Sequence, residues 1–362
     1  MGAIKKWLNR FFIDGLSGMA LGLFSTLIIG TILTQIGGLI SLYVNENVGY
    51  FITVVGKIAS SLTGAGIGAG VATKFKEPPA VAISAMTAGM IGAFATKIIA
   101  GTVFVNGLVS FAGPGEPLGA FLAAYVAIEV GHLVAGKTKV DIIITPIVTI
   151  TSGAVVGILV GPPISAVMTE LGNLINWGTV QQPFIMGIVV SVIMGMVLTL
   201  PISSAAIGVI LGLNGIAAGA ATIGCCANMI GFAFASYREN KLGGVFAQGI
   251  GTSMLQVPNI VKKPIIWIPA ILTSAILGPI STCLLKMTNN STGSGMGTCG
   301  FVGQITTFQT MTSEGISGWI VMLEIVVMHF VLPALIAFFF AETMRKLKWI
   351  KDGDMKLDLK GD

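Results

Sequence analysis

One stretch of the sequence, residues 171–237, contains no Asp, Glu, Lys or Arg. A helix needs about 20 apolar residues to cross the hydrocarbon layer of a bilayer, so this stretch has room for two or three crossings. The rest of the chain is similar in character, since the mean hydropathy is +0.91 and 10% of the residues are charged. The sequence therefore predicts a polytopic membrane protein that moves or senses something at a membrane.

The length of the apolar blocks favours helices over a barrel. Backbone polar groups in lipid are satisfied only in helices or in closed barrels. Barrel strands alternate apolar and polar residues over about ten positions, whereas the blocks here are longer and do not alternate. The predicted fold is an all-α polytopic membrane protein with about ten transmembrane helices, some broken or re-entrant. Residues 243–261 are either one of these crossings or a re-entrant hairpin.

Basic residues near both ends of the chain predict that the two termini are cytoplasmic. Lys and Arg collect on the cytoplasmic side of membrane proteins, and Lys6 and Arg10 near the start are matched by Arg345 and Lys346 near the end. This orientation requires an even number of crossings. A count of ten places residues 238–241 outside, and that position conflicts with their positive charge.

An internal sequence repeat predicts two pseudo-repeated halves. Residues 144–152 lead to a Gly-Pro-Pro cluster, and residues 268–274 lead to a Gly-Pro cluster. The predicted organisation is a first membrane half over 1–172, a second over 183–342 and a cytoplasmic tail over 343–362. Transporters built from such repeats bind their substrate near the middle of the membrane, at broken helices.

Four clusters that combine Gly, Pro and polar residues are candidates for such breaks. They are residues 113–117, 161–165, 200–204 and 278–281. Irregular backbone at membrane depth is tolerated where it lines a cavity or is buried in protein. The alternative for each cluster is a helix cap at the membrane surface.

Six short strings occur in order along nearly the whole chain. They are residues 139–146 (KVDIIITP), 200–206 (LPISSAA), 224–232 (GCCANMIGF), 251–259 (GTSMLQVPN), 277–282 (LGPIST) and 295–300 (GMGTCG). Together they resemble the EIIC-like membrane proteins related to phosphotransferase-system sugar permeases, a group that includes the perfringolysin O regulator. The resemblance implies a permease fold of roughly ten helices in a bacterial inner membrane, assembled as a homodimer.

The sequence also departs from a phosphorylating permease. No IIA or IIB domain with a phosphorylatable His or Cys is recognisable in it, and residues 312–315 are only a loose counterpart of the acidic sugar-binding loop. The resemblance therefore leaves three functions open: a secondary transporter, a membrane sensor that acts through a partner, and a permease component served by separate IIA and IIB proteins.

Ionisable residues within apolar segments are candidates for coupling transport to protons or cations. Glu129 and His132 are three residues apart and can face one another on a helix, and Glu324 lies in the last apolar block. Buried ionisable groups in membrane helices commonly carry protons. The alternative for His132 is a solvated position near Lys137 at the membrane surface.

Uncharged polar residues next to helix breakers are the candidates for binding a solute. Hydroxyl and amide groups offer both donors and acceptors, which suits a sugar, whereas the ends of broken helices suit a small organic anion. Interhelical hydrogen bonding uses the same residue types. The candidate residues are Ser203, Ser204, Asn228, Thr252, Ser253, Gln256, Asn259, Thr298 and Gln304.

The predicted function is therefore transport of a small polar solute, a sugar or a small organic anion, by a protein whose partners are that solute, the lipid bilayer and a second copy of itself. The sequence shows no nucleophile–base arrangement, no metal-ligand cluster and no phosphate-binding Gly-Lys-Thr motif. We accordingly expect no enzyme activity, no metal, no cofactor and no nucleic-acid partner.

Overall fold

The computed structural model describes residues 2–105, 107–179, 181–202 and 204–357, and these are largely helical. Two compact units meet in sequence between Val167 and Met168. The first unit also holds a short antiparallel hairpin, in which β1 (Phe104–Val105) pairs with β2 (Leu108–Val109).

The first unit is built from nine helices in its described part. The opening three, α1 to α3, are joined by π-helical turns at Arg10–Gly15 and Phe24–Ile28, so they form one long rod. The helices are α1 (Gly2–Asn9), α2 (Leu16–Leu23), α3 (Ile29–Tyr43), α4 (Glu46–Ser61), α5 (Thr63–Lys74), α6 (Pro79–Ala93), α7 (Ala95–Ile99), α8 (Pro117–Val134) and α9 (Asp141–Thr179), of which α9 ends in the second unit.

The second unit contains shorter and more interrupted helices. Its α-helices are α10 (Pro183–Thr199), α11 (Ser204–Ile210), α12 (Gly215–Ala235), α13 (Tyr237–Phe246), α14 (Val257–Lys262), α15 (Ile268–Pro279), α16 (Ser291–Ser294), α17 (Val302–Ser313), α18 (Gly318–Ile325) and α19 (Leu332–Lys346). Several of them are linked by short 3₁₀- or π-helical segments. The 3₁₀ segments are Ser253–Gln256, Pro264–Trp267 and Cys299–Phe301, and the π-helical segments are Ala247–Gly251, Ile280–Leu285 and Val326–Val331.

Within the described ranges, six helical stretches are long and apolar enough to cross a membrane. They are Lys6–Leu42, Pro117–Val134, Asp141–Ile164, Gly215–Ala235, Pro264–Leu285 and Gly318–Lys346. The pair α4 and α5 is bent by 56° and adds a seventh if it counts as one broken or re-entrant span. Two apolar helices, α6 and α10, are shorter. The prediction of ten crossings and of an internal repeat stays a prediction.

Glycine allows the helices of the first unit to approach closely. A Cβ atom on Gly22 of α2 would collide with the carbonyl of Gly66 in α5, and one on Gly92 of α6 would collide with the carbonyl of Gly119 in α8. Small residues let backbones pack in lipid, where no hydrophobic force drives helices together. Some of the 49 glycines in the chain therefore serve close helix packing.

The second unit is arranged around α12. In the apolar stretch of α12 that is long enough to span a membrane, 89% of the residues are buried. This helix packs against α10, α15 and α19. Gly224 lies against the backbone of Ser191, where a side chain would collide. A helix that is apolar and buried on every side belongs to the core of a protein.

The four candidate breaks differ in the structure. Residues 113–117 form a loop that ends at the start of α8, and residues 200–202 are non-helical after the end of α10. In contrast, α9 continues through Pro162 and Pro163, and Pro279 ends α15 without ending the helical rod, which continues as a π-helical turn. Proline removes a single backbone donor, and neighbouring turns in a membrane helix compensate for that loss.

Candidate functional site

Four titratable side chains form an ionic cluster in the first unit: Arg10, Glu77, Glu129 and His132. Nε of Arg10 donates to Oε1 of Glu129 at 2.5 Å, and its Nη2 donates to Oε1 of Glu77 at 3.1 Å. Nδ1 of His132 lies 2.8 Å from Oε2 of Glu77. Glu129 and His132, which the sequence places on one helix face, are thus connected through Arg10 and Glu77.

The loop between α5 and α6 positions Glu77. Lys76 adopts a left-handed backbone conformation with φ of 57°, and the Glu77 side chain that follows is 2% exposed. The guanidinium of Arg10 lies 3.8 Å from the centroid of the Phe75 ring. A shielded carboxylate needs charged or hydrogen-bonding partners, and Arg10 supplies both to Glu77.

The cluster joins a shielded group to an accessible one. The side chain of His132 is 62% exposed, whereas that of its partner Glu77 is shielded. The cluster therefore ties the end of α8 to the loop between α5 and α6.

A second polar group, the Asn228 network, lies in the core of the second unit. Oδ1 of Asn228 accepts from Nε1 of Trp267 at 2.9 Å and from Oγ1 of Thr199 at 3.1 Å. Its Nδ2 donates to Oγ of Ser274 at 3.2 Å. The Thr199 hydroxyl is also 2.8 Å from that of Ser253. The network thereby ties α10, α12 and α15 to the turn that follows Gly251.

The segment from Lys286 to Phe301, here called the polar hairpin, returns to the core beside α12. Asn289 donates through Nδ2 to Oγ1 of Thr222 in α12 at 2.8 Å. Ser204 donates to the carbonyl of Gly295 at 2.6 Å, and Thr298 donates to the carbonyl of Gly249. Ser204 therefore contacts the string 295–300, and Thr298 of that string contacts Gly249, two residues before the string 251–259.

The backbone at the end of the polar hairpin is unusual. Gly297 and Gly300 both have φ of 53°, and Phe301 has φ of 59°. A left-handed conformation is inexpensive for glycine and costs an aromatic residue of order 1–3 kcal/mol. Such strain persists only where surrounding contacts impose it, and it is common at ligand-binding positions.

Gln304 lies one turn beyond this strained backbone. Its Nε2 is 2.9 Å from Nδ1 of His329 and 3.4 Å from Sγ of Cys226. Its Oε1 is buried and has no hydrogen-bond partner among the described residues. A buried amide oxygen without a partner is an available acceptor for a polar ligand.

Two predicted residues, Gln256 and Asn259, hold the C-terminal tail. Nε2 of Gln256 donates to Oε1 of Gln248 at 2.8 Å and to the carbonyl of Met355 at 3.0 Å. Nδ2 of Asn259 donates to the carbonyl of Lys356 at 2.9 Å. Their amides dock the chain after α19 against α14.

The remaining predicted residues have varied positions. The hydroxyl of Thr252 accepts from the backbone N–H of Met254 and caps a turn. Oε2 of Glu324 is buried and has no hydrogen-bond partner in the part of the chain that the structure describes. Ser203 lies outside the described residues. Across the described ranges, no three His, Cys, Asp or Glu side chains are placed to hold a metal ion.

A separate apolar cleft of about 450 Å³ lies in the second unit. Its walls include Ile230, Phe246, Phe301 and Phe330. Such a lining offers a sugar no hydrogen-bond partners, whereas it suits an acyl chain or another apolar group. The cleft is therefore not the candidate site for a polar solute.

Comparison with known protein families decides the class of this apolar, largely helical chain. Residues 13–357 match the family described as "Phosphotransferase system, EIIC". The chain belongs to this EIIC family. The resemblance predicted from the six strings is confirmed, and this EIIC protein is a multi-pass membrane component of the phosphotransferase type. A search of curated proteins gives no match.

Sequence reasoning missed several partners in this EIIC protein. The charge of Arg10 predicts the orientation of the first span, and in the structure Arg10 also forms ion pairs with Glu77 and Glu129. Thr199, Trp267 and Ser274 complete the Asn228 network. Thr199, Trp267 and Ser274 each lie in an apolar block. The sequence signal that could have identified them is a polar or indole group within a run that otherwise faces lipid or protein core.

Proposed function

We propose that this EIIC-type component transports a small neutral polar solute, a sugar above all, through its second unit. One observation carries the proposal: apart from the Arg345–Glu239 ion pair at the end of α19, the fully buried polar side chains described in this unit are hydroxyls, amides and the imidazole of His329. A neutral solute with many hydroxyls needs both donors and acceptors, and such a lining supplies both without an unpaired charge.

The proposed binding position is the face of the polar hairpin that meets α12 and α17. Gln304 supplies an unpartnered acceptor there. Asn289 precedes the strained backbone on the same segment, and Thr298 lies within it. A substrate that replaced the internal hydrogen bonds of these residues would convert interhelical contacts into binding contacts. Broken helices in transporters serve this role.

Proton coupling, the second part of the proposal, is assigned to the ionic cluster. His132 contacts Glu77, and Glu77 and Glu129 share Arg10. Loss or gain of one charge changes how strongly the loop between α5 and α6 is held. A cation in place of a proton is the alternative, since two carboxylates are also a cation ligand set.

Separate IIA and IIB proteins are the proposed partners, because the chain belongs to the EIIC family. A bacterial inner membrane, cytoplasmic termini and a homodimer complete the proposal. Its basis is the resemblance and the distribution of basic residues, with Arg345 and Lys346 at the end of α19.

The test is ligand-induced stabilisation of the purified full-length protein. Ligands that bind the folded state raise the unfolding temperature by mass action. We expect at least one neutral sugar to do so in a concentration-dependent way, and small organic anions of similar size to do so less. Stabilisation by anions alone would contradict the neutral-solute proposal.

Uptake by cells that express the protein then distinguishes the three possible functions. Accumulation of the stabilising sugar as its phosphate ester, dependent on the cell's IIA and IIB proteins, supports a phosphotransferase permease. Accumulation of unmodified sugar supports secondary transport. Binding of the sugar without uptake of either its phosphate ester or the unmodified sugar would contradict transport and favour a sensor.

A further inference from the structure

A strongly basic pocket of about 470 Å³ lies beside the end of α19 in the second unit. Five basic residues and two acidic residues line it. The basic residues are Arg238, Arg345, Lys346, Lys348 and Lys351. The acidic residues are Glu342 and Asp352, so the lining carries an excess of three positive charges.

The two arginines in the basic pocket are held in place by carboxylates. Nη2 of Arg345 donates to both carboxylate oxygens of Glu239, at 2.9 and 3.0 Å, and its Nη1 donates to Glu342 at 2.9 Å. Arg238 also pairs with Glu342. The side chain of Arg345 is 7% exposed, so its planar guanidinium is fixed before any ligand arrives.

Donors nevertheless remain unused. Nε of Arg345 is buried and has no hydrogen-bond partner among the described residues. Lys346, Lys348 and Lys351 have no ion pair in the described part of the chain. A pocket with a surplus of fixed and mobile cationic donors attracts an anion with several oxygens, and a phosphate ester fits this description.

The position of the pocket favours a phospholipid as the source of that phosphate. The last apolar span ends at Lys346, which places the lysines that follow at the level of lipid headgroups. Leu335 and Phe339 are exposed on α19, and Trp349 is exposed just past its end. Apolar side chains along the helix can accompany acyl chains, and tryptophan is enriched at the membrane interface.

We propose that the basic pocket binds the phosphate of an anionic phospholipid headgroup. This site is independent of the solute path, since it uses none of the residues of the Asn228 network or the polar hairpin. Basic residues beside a membrane span contribute about 1 kcal/mol each to attraction of anionic lipids, which corresponds to about fivefold in affinity per lysine.

The test uses short-chain lipids and the purified full-length protein. We expect dioctanoyl phosphatidylglycerol to raise the unfolding temperature more than dioctanoyl phosphatidylcholine does. In a Lys348→Gln/Lys351→Gln variant, the apparent affinity for phosphatidylglycerol should fall about 30-fold. The control is Lys137→Gln/Lys139→Gln, which removes two exposed lysines from the first unit.

Three outcomes would overturn the proposal. Equal stabilisation by the two lipids would remove the preference for anionic headgroups. An equal loss of affinity in the control variant would indicate a general effect of net charge. Stabilisation by inorganic phosphate and glycerol 3-phosphate that matches phosphatidylglycerol, and is lost in Lys348→Gln/Lys351→Gln, would assign the pocket to a soluble phosphate ester.

Discussion

The side-chain amide of Gln304 donates to Nδ1 of His329 at 2.9 Å, and both side chains are buried in the second unit. An amide nitrogen only donates, so Nδ1 of His329 acts as an acceptor in this pair. The imidazole therefore fixes the amide, and the amide oxygen of Gln304 is left without a partner in the described part of the chain.

Gln304→Leu should weaken binding of a stabilising sugar. The change removes a polar partner from the proposed site, and such a loss costs about 1–3 kcal/mol, or roughly 5- to 150-fold in affinity. The measurement is a titration of the purified variant with the sugar, in which the unfolding temperature reports binding. Gln309→Leu is the matched control, because Gln309 is exposed on the same helix. Equal affinity in Gln304→Leu and wild type would exclude Gln304 from the site.

Asn228→Ala should destabilise the protein without any ligand. Asn228 is fully buried, and its removal leaves the Trp267 N–H and the hydroxyls of Thr199 and Ser274 without their shared partner. The expected loss is about 1–3 kcal/mol of unfolding free energy. Thermal unfolding in detergent measures it. Asn214→Ala, at an exposed position, should change the unfolding temperature much less, and identical changes would show that the network contributes nothing to stability.

Glu129→Gln should alter the pH dependence of uptake more than folding. The substitution keeps the shape of the side chain and replaces its ion pair with Arg10 by a weaker hydrogen bond from the Arg10 cation to an uncharged amide oxygen. Expression and oligomeric state should stay close to wild type, because Glu129 is part-exposed. The measurement is uptake between about pH 5 and pH 8, the range over which histidine changes charge. Glu46→Gln is the control, and an unchanged pH profile in Glu129→Gln would remove the proposed coupling role.

Asp354 should release the C-terminal tail when it loses its charge. Burial raises the pKa of Asp354, but hydrogen bonds from Lys263 and from the backbone N–H of Lys351 outweigh it, so the pKa lies below its ordinary value of 3.8. A carboxyl whose pKa is lowered on folding stabilises the protein above its unfolded pKa, and this contribution is lost as the pH falls through the folded pKa.

The lowered pKa of Asp354 predicts how fast the amides of the tail exchange hydrogen. Hydrogen exchange at residues 351–357 should accelerate in Asp354→Asn at neutral pH, whereas wild type should show this loss of protection only below about pH 4. Asp352→Asn is the control, since Asp352 is exposed. The side chain of Asn240 also donates, through Nδ2, to the carbonyl of Met355 at 2.8 Å. Equal protection in Asp354→Asn and wild type at neutral pH would show that the amides of Asn240, Gln256 and Asn259 hold the tail unaided.

Lys356→Cys should report the orientation of the tail. Lys356 is exposed, and Cys283→Ser removes the one exposed native thiol among the described residues. A membrane-impermeant maleimide should label the introduced cysteine in inside-out vesicles and leave it unlabelled in intact cells. Labelling from outside intact cells would reverse the predicted orientation.

The sequence alone was sufficient for the class of fold and the family. Long apolar blocks without alternation predict helices, because in lipid only helices and closed barrels satisfy the hydrogen bonds of the backbone. The six strings suffice for the EIIC resemblance because they depend on residue identity and order alone. Neither inference requires knowledge of which side chains meet.

Tertiary structure decided which residues are partners. The sequence placed Glu129 beside His132 because they share a helix face, but Glu77 approaches from a loop whose path depends on the left-handed conformation of Lys76. Gln256 and Asn259 likewise bond a tail about 100 residues away in sequence. Helical periodicity encodes which residues share a face, whereas contacts between distant segments depend on packing that no local pattern contains.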